Sequence, residues 1–313
     1  MQRSQPDPAG ALVTGAAGFV GANLVRRLVA DGWQVTPVVH AGSDPWRLEG
    51  IDVVTCDVTD AAAVDSVFEA AKPTHVFHLA AHGAYSWQSD ADRIVATNVL
   101  GTLHVLEAAI RHGCVAAVNT GSSSEYGFTD HAPAEDELPV PNSHYAAAKA
   151  AATLIAGHLG RTSDTRISTL RLYSVYGPYE EPGRLMPALV LAALDKKLPP
   201  LVDPSIARDF VHVDDVVDAY LVTAQRAGSG EVYNVGSGTQ TTLAELVAAA
   251  GEAFGFEPAP EWGTMAPRTW DTSTWVANPA KIRALGWGPR RSLVEGLRSF
   301  GDWIAAHRTR YGA

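Results

Sequence analysis

The segment Leu12–Val13–Thr14–Gly15–Ala16–Ala17–Gly18–Phe19–Val20–Gly21 decides the fold of this chain. Apolar residues at its start indicate a β-strand, and the amphipathic run that continues to about Ala30 indicates a helix. Gly15 permits the tight turn between them, Gly18 lets backbone approach a pyrophosphate, and Gly21 allows the helix to pack closely on the strand. A helix that begins after such a turn favours an anionic group at its N-terminus. The segment therefore predicts a site for the pyrophosphate of a dinucleotide.

The alternation of short apolar runs and helical patterns continues through the first half of the chain. The run Ile94–Arg111 is one of the amphipathic helices of this series. Apolar strands separated by such helices are typical of a parallel sheet covered on both faces. The predicted fold class is therefore α/β, with a doubly wound parallel (Rossmann) sheet over residues 11–177 and ligands at the carboxyl ends of its strands. The predicted strands are Ala11–Thr14, Gln34–Val39, Asp52–Thr55, His75–Ala80, Val115–Thr120 and Ile167–Arg171.

The pattern changes after residue 177, where Pro and Gly interrupt the chain in YGPYEEPGR and KKLPPLVDP. This change predicts a smaller C-terminal α/β domain, residues 178–313, that mainly binds substrate. Short strands around Phe210–Val213 and Val232–Val235 are predicted to return to the first domain near residues 208–236. Helices are predicted near Leu243–Phe254 and Leu293–His307. Residues 1–10 lack the apolar segment of a secretory signal and are predicted to be a flexible leader.

Composition limits the classes of function. The chain has 313 residues, of which 46% are hydrophobic and 19% charged, an ordinary globular mixture. Its net charge of −10 argues against a general nucleic-acid-binding surface, and it lacks the roughly 18 uninterrupted apolar residues of a membrane span. Cys56 and Cys114 lie in or beside apolar runs, which predicts two reduced, buried thiols in a cytoplasmic protein and neither a disulfide nor a metal site.

The end of the second strand bears on the choice of cofactor. An acidic residue here commonly binds the adenine ribose of NAD, but the stretch Val38–Val39–His40–Ala41–Gly42–Ser43 has none. His40, Ser43 and the nearby Arg47 would suit a 2′-phosphate. The sequence therefore favours NADP(H), and NAD(H) stays possible because Asp44 and Asp52 are close. After the third strand, Asp57 has two interpretations, a contact to the adenine amino group or a cap for the next helix.

Tyr145 and Lys149 are four residues apart in Tyr–Ala–Ala–Ala–Lys and therefore share one face of a helix. A tyrosine with an ordinary pKa of about 10 is a poor base at neutral pH, but a nearby lysine and an oxidised nicotinamide both favour its phenolate. We expect Tyr145 to exchange a proton with a substrate hydroxyl or carbonyl while hydride moves to or from the cofactor. Lys149 would also hold the nicotinamide ribose.

Three further segments agree with a site around this pair. Ser122, in Gly–Ser–Ser–Ser–Glu–Tyr–Gly, follows a strand directly, so its hydroxyl could bind the same substrate oxygen as Tyr145. Asn98 lies in the middle of a helix, where its side chain can anchor the neighbouring strand. Ala80 and Ala81 end the strand before it with side chains small enough to let a cofactor approach.

The order of these segments is similar to that of the extended short-chain dehydrogenases, the NAD-dependent epimerase/dehydratase group that acts on nucleoside-diphosphate sugars. The resemblance covers almost the whole chain and implies that Ser122, Tyr145 and Lys149 are a catalytic triad. It also implies that Arg208 and Arg268 contact the substrate diphosphate, for which planar guanidinium groups are well suited. Ser174 stands where an Asn is usual in this family.

The resemblance leaves more than one reaction open. Sugar 4,6-dehydratases of the family carry an Asp–Glu pair after the catalytic residue, but Ser123 and Ser124 stand here, and Glu125 comes one position too late. The main interpretation is a reductase acting at C4 of a 4-keto sugar, because the acidic residue after the second strand is missing and the serine segment resembles 4-keto-6-deoxysugar reductases.

Other interpretations are kept beside the reductase. The alternative is a redox-neutral 4-epimerase. A non-catalytic dinucleotide sensor is a remote possibility, and a steroid- or flavonoid-like ketone is a further one that Arg208 and Arg268 oppose. The base and sugar of the substrate do not follow from the sequence.

The predicted site residues can be grouped by role. A homodimer is implied by the resemblance, through the helix that bears Tyr145 and the helix Ile94–Arg111. The predicted cofactor-binding residues are Gly15, Gly18, Phe19, Val20, Gly21, His40, Ser43, Arg47, Asp57, Val58, Ala80, Ala81, Asn98, Tyr145 and Lys149. The predicted substrate-binding residues are His82, Tyr85, Ser122, Ser123, Ser124, Ser174, Arg208 and Arg268.

Overall fold

The structure is a computed structural model that describes residues 9–198, 200–264 and 272–312. Most of the predicted leader, residues 1–10, lies outside the described residues. The strands are β1 Gly10–Thr14, β2 Gln34–Val39, β3 Val54–Thr55, β4 His75–His78, β5 Ala116–Ser122, β6 Arg166–Leu172, β7 Ser174–Tyr176, β8 Ala207–Arg208, β9 Phe210–His212, β10 Glu231–Val235 and β11 Thr241–Thr242. The helices are α1 Phe19–Ala30, α2 Ala61–Ala71, α3 Ala91–Val95, α4 Gly101–Arg111, α5 His144–Thr162, α6 Leu185–Leu194, α7 Val213–Arg226, α8 Leu243–Phe254, α9 Ala280–Arg283 and α10 Leu293–Ala306.

Seven strands form one parallel sheet in the order β10-β6-β5-β4-β1-β2-β3. The chain enters at β1, proceeds outward through β2 and β3, and then crosses back to β4 on the other side of β1. In a doubly wound sheet, ligands bind where the strand order reverses, at the carboxyl ends of the strands. The predicted α/β fold class is confirmed, and the crevice is expected beyond Thr14 and His78, which are paired at the ends of β1 and β4.

Each face of the sheet is covered by helices that bury apolar side chains. On one face the core includes Leu24 and Leu28 of α1 and Tyr220 of α7. On the other face it includes Phe68 of α2 and Leu106 of α4, together with residues of α5. Because neither face meets water, the strands are continuously apolar rather than alternating.

The C-terminal helices have a hydrophobic core of their own. Leu189 of α6, Leu246 of α8 and Phe300 of α10 pack together in a cluster apart from the two sheet cores. Short strands connect this smaller α/β region to the sheet, since β7 pairs with β9 and β8 with β11. The strand β10 lies beside β6 at the edge of the large sheet, where the returning segment was predicted.

Two predicted elements differ from the observed ones. The run Ile94–Arg111 is not one regular helix, because a π-helical turn at Ala96–Leu100 separates α3 from α4. Such turns insert an extra residue and are frequent at functional sites. The strand predicted over Asp52–Thr55 is shortened to Val54–Thr55, since it is an edge strand that pairs only with the last two residues of β2.

By length and composition alone, the helical stretch Ala91–Arg111 could cross a membrane, the one such stretch in the described part of the chain. In the fold it packs against α2 and α5, and Val105 and Leu106 are buried in the sheet core. An apolar helix is expected at this position because it covers one face of the sheet.

The glycine turn after β1 leaves no room for side chains. Gly15 has a φ of +66°, and a Cβ there would lie 2.6 Å from the backbone of Leu79 and Ala80. A Cβ on Gly21 would lie 2.2 Å from the carbonyl oxygen of Gly15. Gly21 therefore lets the first turn of α1 pack against the glycine turn itself.

We predict that Gly21→Ala destabilises the protein by at least ~1–3 kcal/mol and weakens dinucleotide binding, because the methyl group displaces the Gly15 turn. Chemical denaturation and NAD titration would measure the two effects. Gly288→Ala is the matched control, since a Cβ at Gly288 meets nothing within 4 Å. Equal stability of the two variants would contradict the prediction.

Candidate functional site

The glycine turn presents the start of helix α1 to the crevice. The N-cap residue Gly18 makes no side-chain hydrogen bond to the free N–H groups of the first turn. Gly18 is exposed, and its own N–H donates to the Gly15 carbonyl at 3.0 Å. The amides that follow, beginning with Phe19 and Val20, can therefore bind an anion. A turn that has glycine at Gly15 and Gly18, beside an uncapped helix N-terminus, fits the pyrophosphate of a dinucleotide.

His40, the exposed residue after β2, faces the loop that follows β3. The N–H of Gly42 donates to His40 Nδ1 at 3.0 Å, so a neutral ring carries its proton on Nε2. That nitrogen lies 3.9 Å from a carboxylate oxygen of Asp57. A histidine and a carboxylate therefore share this edge of the crevice, with the exposed Ser43 close to His40 in sequence.

Asp57 is not the cap of the next helix. It accepts hydrogen bonds from the amide and the hydroxyl of Thr59, and these bonds lower its pKa. The N-cap of α2 is Asp60, whose carboxylate accepts from Ala62 and Ala63. Of the two interpretations of Asp57, capping is excluded and the contact to adenine stays a prediction. Val58, the next residue, is buried.

The prediction that Arg47 binds a 2′-phosphate is wrong for this structure. Arg47 is buried, and its guanidinium donates to the carbonyls of Tyr179 at 2.7 Å and Ala17 at 3.4 Å. It also forms an ion pair of 2.9 Å with Glu181. Arg47 therefore joins the glycine turn to the loop after β7, a long-range contact that strand spacing could not reveal.

Asn98, in the π-helical turn, holds the chain that leaves β4. Its Oδ1 accepts the His82 N–H at 2.9 Å, and its Nδ2 donates to the His82 carbonyl at 2.7 Å. This pair of bonds fixes the backbone of His82 beside Ala80 and Ala81, as the predicted anchoring requires. The partly buried His82 side chain is left at the crevice.

His78 makes the end of β4 rigid. The buried ring bonds Thr14 of β1 at 2.7 Å and Thr102 of α4 at 3.0 Å. Burial, helped by the charge of Lys149, lowers the pKa of His78 to about 3, so the ring is neutral at physiological pH. It is a structural link between sheet and helix beside Lys149.

Ser122, Tyr145 and Lys149 are brought together by β5 and α5. Ser122 is the last residue of β5, and its hydroxyl is near enough to the Tyr145 phenol to lower the pKa of that phenol. Helix α5 begins after Ser143, whose hydroxyl accepts the Ala146 N–H at 3.1 Å, so Tyr145 lies in the first turn. Lys149 follows one turn later and is 1% exposed. The structure thus assembles the predicted triad.

Burial acts in opposite directions on the two titrating members of the triad. It raises the pKa of Tyr145 to about 12, although the neighbouring Ser122 hydroxyl and the charge of Arg184 oppose the rise. It lowers the pKa of Lys149 to about 8, against the charge of Glu125. In the absence of cofactor Tyr145 is therefore a neutral phenol, and a positive charge in the crevice would favour its phenolate.

The serines after Ser122 and the glutamate that follows them have different roles. Ser124 Oγ lies 2.8 Å from Ser122 Oγ, at the crevice, whereas Ser123 is buried. Glu125 turns under the strand, where it accepts the Ser122 N–H and pairs with Arg171, both at 2.8 Å. The Glu125 carboxylate is therefore directed away from the substrate side.

Aromatic residues lie in the loop between β4 and α3. The rings of Tyr85 and Trp87 stack at 4.6 Å, and the guanidinium of Arg184, the residue before α6, lies 5.6 Å from the Tyr85 ring centre. A Cβ on Gly83 of the same loop would lie 3.4 Å from Tyr145 Cβ. The loop therefore runs beside Tyr145, and Arg184 is a neighbour of Tyr85 that the sequence analysis did not name.

The predicted diphosphate contacts are only partly within the described residues. Arg208 donates to the Ala207 carbonyl at 2.7 Å, and its guanidinium lies 5.5 Å from the Trp275 ring centre. The N–H of Ser174 donates to the Asp209 carbonyl at 3.0 Å. Arg268 lies outside the described residues.

Sequence reasoning also missed the buried polar residues beneath the site. Arg171 interrupts the apolar strand β6, and a buried arginine signals a partner, but the sequence does not say which one. Tyr220 of α7 bonds Thr120 of β5 at 2.6 Å, 100 residues apart in the chain. No local pattern indicates such pairs.

We predict that Lys149→Met stabilises the cofactor-free protein while abolishing turnover. The pKa of Lys149 falls from 10.5 to about 8 on folding, which corresponds to a cost on the order of 3 kcal/mol at neutral pH. Because the folded state binds this proton less tightly, the wild type regains stability as the pH rises from about 8 to 10.5, so the advantage of the variant should shrink there. Denaturant unfolding at about pH 7 and pH 10 would measure both.

The control for this prediction is Lys281→Met. Lys281 is an exposed lysine paired with Glu231, and its replacement should change stability by less than ~1 kcal/mol. A destabilised Lys149→Met variant at neutral pH would contradict the prediction.

Comparison with known proteins gives a consistent result. The family model described as NAD dependent epimerase/dehydratase family matches residues 11–236. The chain is 35% identical over 308 residues to a UDP-glucose 4-epimerase of Mycolicibacterium smegmatis, covering 91% of this chain and 95% of the relative. It is 33% identical over 321 residues to a dTDP-glucose 4,6-dehydratase of Streptomyces antibioticus, covering 95% and 92%.

Solved structures agree with the sequence relatives. A UDP-glucose 4-epimerase from Thermus thermophilus, crystallised in complex with NAD, superposes with a TM-score of 0.83 at 31% identity. The match covers 94% of this chain and 98% of that one.

Proposed function

The chain belongs to the NAD-dependent epimerase/dehydratase family, whose enzymes act on nucleotide sugars, and we propose that it is a nucleotide-sugar 4-epimerase that works with bound NAD. One observation carries the proposal: Ser122, Tyr145 and Lys149 form a proton-transfer site whose adjoining residues, Ser123 and Ser124, offer no second acid or base. The main prediction from the sequence, a 4-keto-sugar reductase, loses support because the relatives described above are epimerases and dehydratases.

The turn after β5 disfavours a dehydratase, because it carries Ser123 and Ser124 rather than an acid and a base. Eliminating water requires a further acid and base beside the hydride-transfer machinery. The carboxylate on this turn, Glu125, is held by Arg171 and by the Ser122 amide beneath the strand. A hydroxyl-lined turn suits a reaction in which the sugar loses and regains one hydrogen at C4.

NAD replaces NADP(H) as the proposed cofactor. The NADP(H) prediction relied on the missing acidic residue after the second strand and on His40, Ser43 and Arg47. Of these, Arg47 is engaged by other residues of the chain, namely Tyr179, Ala17 and Glu181. The ionised Asp57 near His40 would repel a 2′-phosphate but can accept from hydroxyl and amino groups. The Thermus thermophilus relative, which was crystallised with NAD, supports the same choice.

Each residue of the triad would have its own role in proton transfer. Bound NAD supplies reversible hydride acceptance at C4 of the sugar. Tyr145 takes the proton of the C4 hydroxyl and later returns it to the same oxygen, while Ser122 donates a hydrogen bond that positions that oxygen. Lys149 favours the phenolate through its charge and holds the ribose beside it. A sugar that turned its other face toward the cofactor between the two proton transfers would leave with C4 inverted.

The substrate would lie between the triad and the smaller region. Arg208 is proposed to bind the diphosphate, because a guanidinium fits a pyrophosphate. Tyr85 and Arg184 would border the sugar ring, since the loop of Tyr85 passes beside Tyr145 and the Arg184 guanidinium lies 5.6 Å from the Tyr85 ring centre. UDP-glucose is the first substrate to test, because the chain is 35% identical to a UDP-glucose 4-epimerase of Mycolicibacterium smegmatis.

We predict that the purified protein interconverts UDP-glucose and UDP-galactose without net consumption of NAD(P)H, and that Tyr145→Phe lowers kcat by at least ~10²-fold. The phenylalanine variant should retain bound cofactor, because the hydroxyl group is used for chemistry. Sugar products would be measured by NMR and bound cofactor by mass spectrometry. A 4-keto-6-deoxy product would indicate a dehydratase, and stoichiometric NADPH oxidation with a 4-keto sugar would indicate a reductase.

We also propose a homodimer formed by the surface of α3, α4 and α5. Val95, Leu100 and Leu154 are exposed apolar residues of these neighbouring helices, Leu154 with 68% of its surface accessible. Two copies packed through this surface would form a four-helix interface and bury these side chains.

We predict that Leu154→Glu yields a monomer, because it would place a charge in that interface. Val29→Glu, on the exposed end of α1, is the matched control and should leave the assembly unchanged. Sedimentation velocity would measure both, and a Leu154→Glu protein with unaltered mass would contradict the proposed surface.

A further inference from the structure

A buried ion pair lies directly under the catalytic serine. The Arg171 and Glu125 side chains are 4% and 0% exposed, and Nε of the arginine donates to Oε2 of the glutamate at 2.8 Å. The other carboxylate oxygen, Oε1, accepts the Ser122 N–H at 2.8 Å. One carboxylate thus joins the backbone of the catalytic residue to a charged group on the adjacent strand β6.

The surroundings of the pair fix it from every side. Arg171 also donates to the Glu135 carbonyl at 3.2 Å, and its guanidinium lies 4.5 Å from the ring centre of Tyr126. A Cβ on Gly121 would lie 2.6 Å from Glu125 Oε1 and 3.2 Å from Arg171 Cγ. The glycine before the catalytic serine therefore makes room for the carboxylate rather than for a ligand.

A buried ion pair contributes little net stability to the folded protein, so its presence under Ser122 calls for a functional explanation. Its desolvation offsets much of the Coulomb attraction, and apolar pairs of similar volume often stabilise as well. The Glu125 carboxylate meets the catalytic residue itself and also acts on both titrating members of the triad, since its charge raises the pKa of Tyr145 and of Lys149.

We propose that Glu125 is a positioning residue for the triad: its carboxylate fixes the backbone of Ser122, and Arg171 keeps that carboxylate ionised and oriented. This proposal rests on the proposed function in assuming that Ser122 acts on the substrate oxygen. Two effects follow, one from the reach of the side chain and one from its charge.

The negative charge of Glu125 acts on the titratable groups that surround it. The titratable groups that face Glu125 are Arg171 of β6, Tyr126 of its own turn, and Tyr145 and Lys149 of α5. Removing the negative charge makes the Tyr145 phenolate easier to form and the Lys149 ammonium harder to keep. The pKa of both groups should therefore fall.

Two single substitutions separate reach from charge, both in the NAD-loaded, full-length protein with UDP-glucose as the probe. Glu125→Asp keeps the charge but is one methylene too short to contact Ser122 and Arg171 together, so kcat should fall about tenfold to a hundredfold at nearly unchanged KM and unchanged pH profile. Glu125→Gln keeps the reach but loses the charge, so the acidic limb of the kcat profile should move to lower pH.

A double variant guards against misfolding of the single ones. Glu125→Leu combined with Arg171→Met replaces the pair by apolar groups and leaves the Ser122 N–H without its partner, so it should still fold, with some loss of stability, and show both the lower kcat and the shifted limb. Asp215→Asn is the control, since Asp215 is buried and accepts from Arg290 and Arg291 far from the triad. It should lose stability but keep the wild-type kcat and pH profile.

A measurement without sugar distinguishes failure of this proposal from failure of the proposed function. The ultraviolet absorbance of the Tyr145 phenolate, isolated by subtracting the same protein with Tyr145→Phe, gives its pKa with NAD alone bound. A lower pKa in Glu125→Gln and in the double variant supports the proposal even if UDP-glucose is not turned over. A folded double variant with the wild-type phenolate titration, or with wild-type kcat and pH profile, would overturn it.

Discussion

The approach of helix α1 to the glycine turn is the contact on which the rest of the site depends. Only hydrogen atoms on Gly15 and Gly21 allow the first turn of the helix to lie against the carbonyl of residue 15. That contact sets the direction of the helix, and the direction aims its uncapped N–H groups at the reversal point of the sheet. Ser122 reaches this point at the end of strand β5, and Tyr145 and Lys149 reach it from helix α5.

Electrostatics at the site are governed by burial more than by charge count. The crevice places a lysine, a phenol and a carboxylate within a few side chains of one another, and each is shifted away from its ordinary behaviour by loss of water. Lys149 is held there at a cost to stability, which is a common trade between folding and catalysis. The neutral His78 below it adds no competing charge.

Sequence reasoning succeeded where structure follows from local rules and failed where it depends on distant partners. Strand and helix periods, the glycine turn and the four-residue spacing of Tyr145 and Lys149 are local, and they predicted the sheet and the shared helix face of Tyr145 and Lys149. The joining of Ser122 to this pair as a triad was implied by the family resemblance. The destination of Arg47 depends on Tyr179, 132 residues away. Likewise, no residue near Glu125 in the sequence indicates Arg171 as its partner. Glu125 lies on the 3₁₀ turn Ser123–Tyr126, where the packing of the neighbouring strand sets the direction of the side chain.

Because the C-terminal helices have a separate hydrophobic core, their region and the large sheet can evolve largely independently. Because Leu189, Leu246 and Phe300 pack among themselves, substitutions around them are nearly independent of the sheet that carries the glycine turn. The smaller region can therefore change while the sheet is inherited intact. The ion pair between Arg47 and Glu181 joins the two regions, so substitutions at these two positions must be compatible with each other.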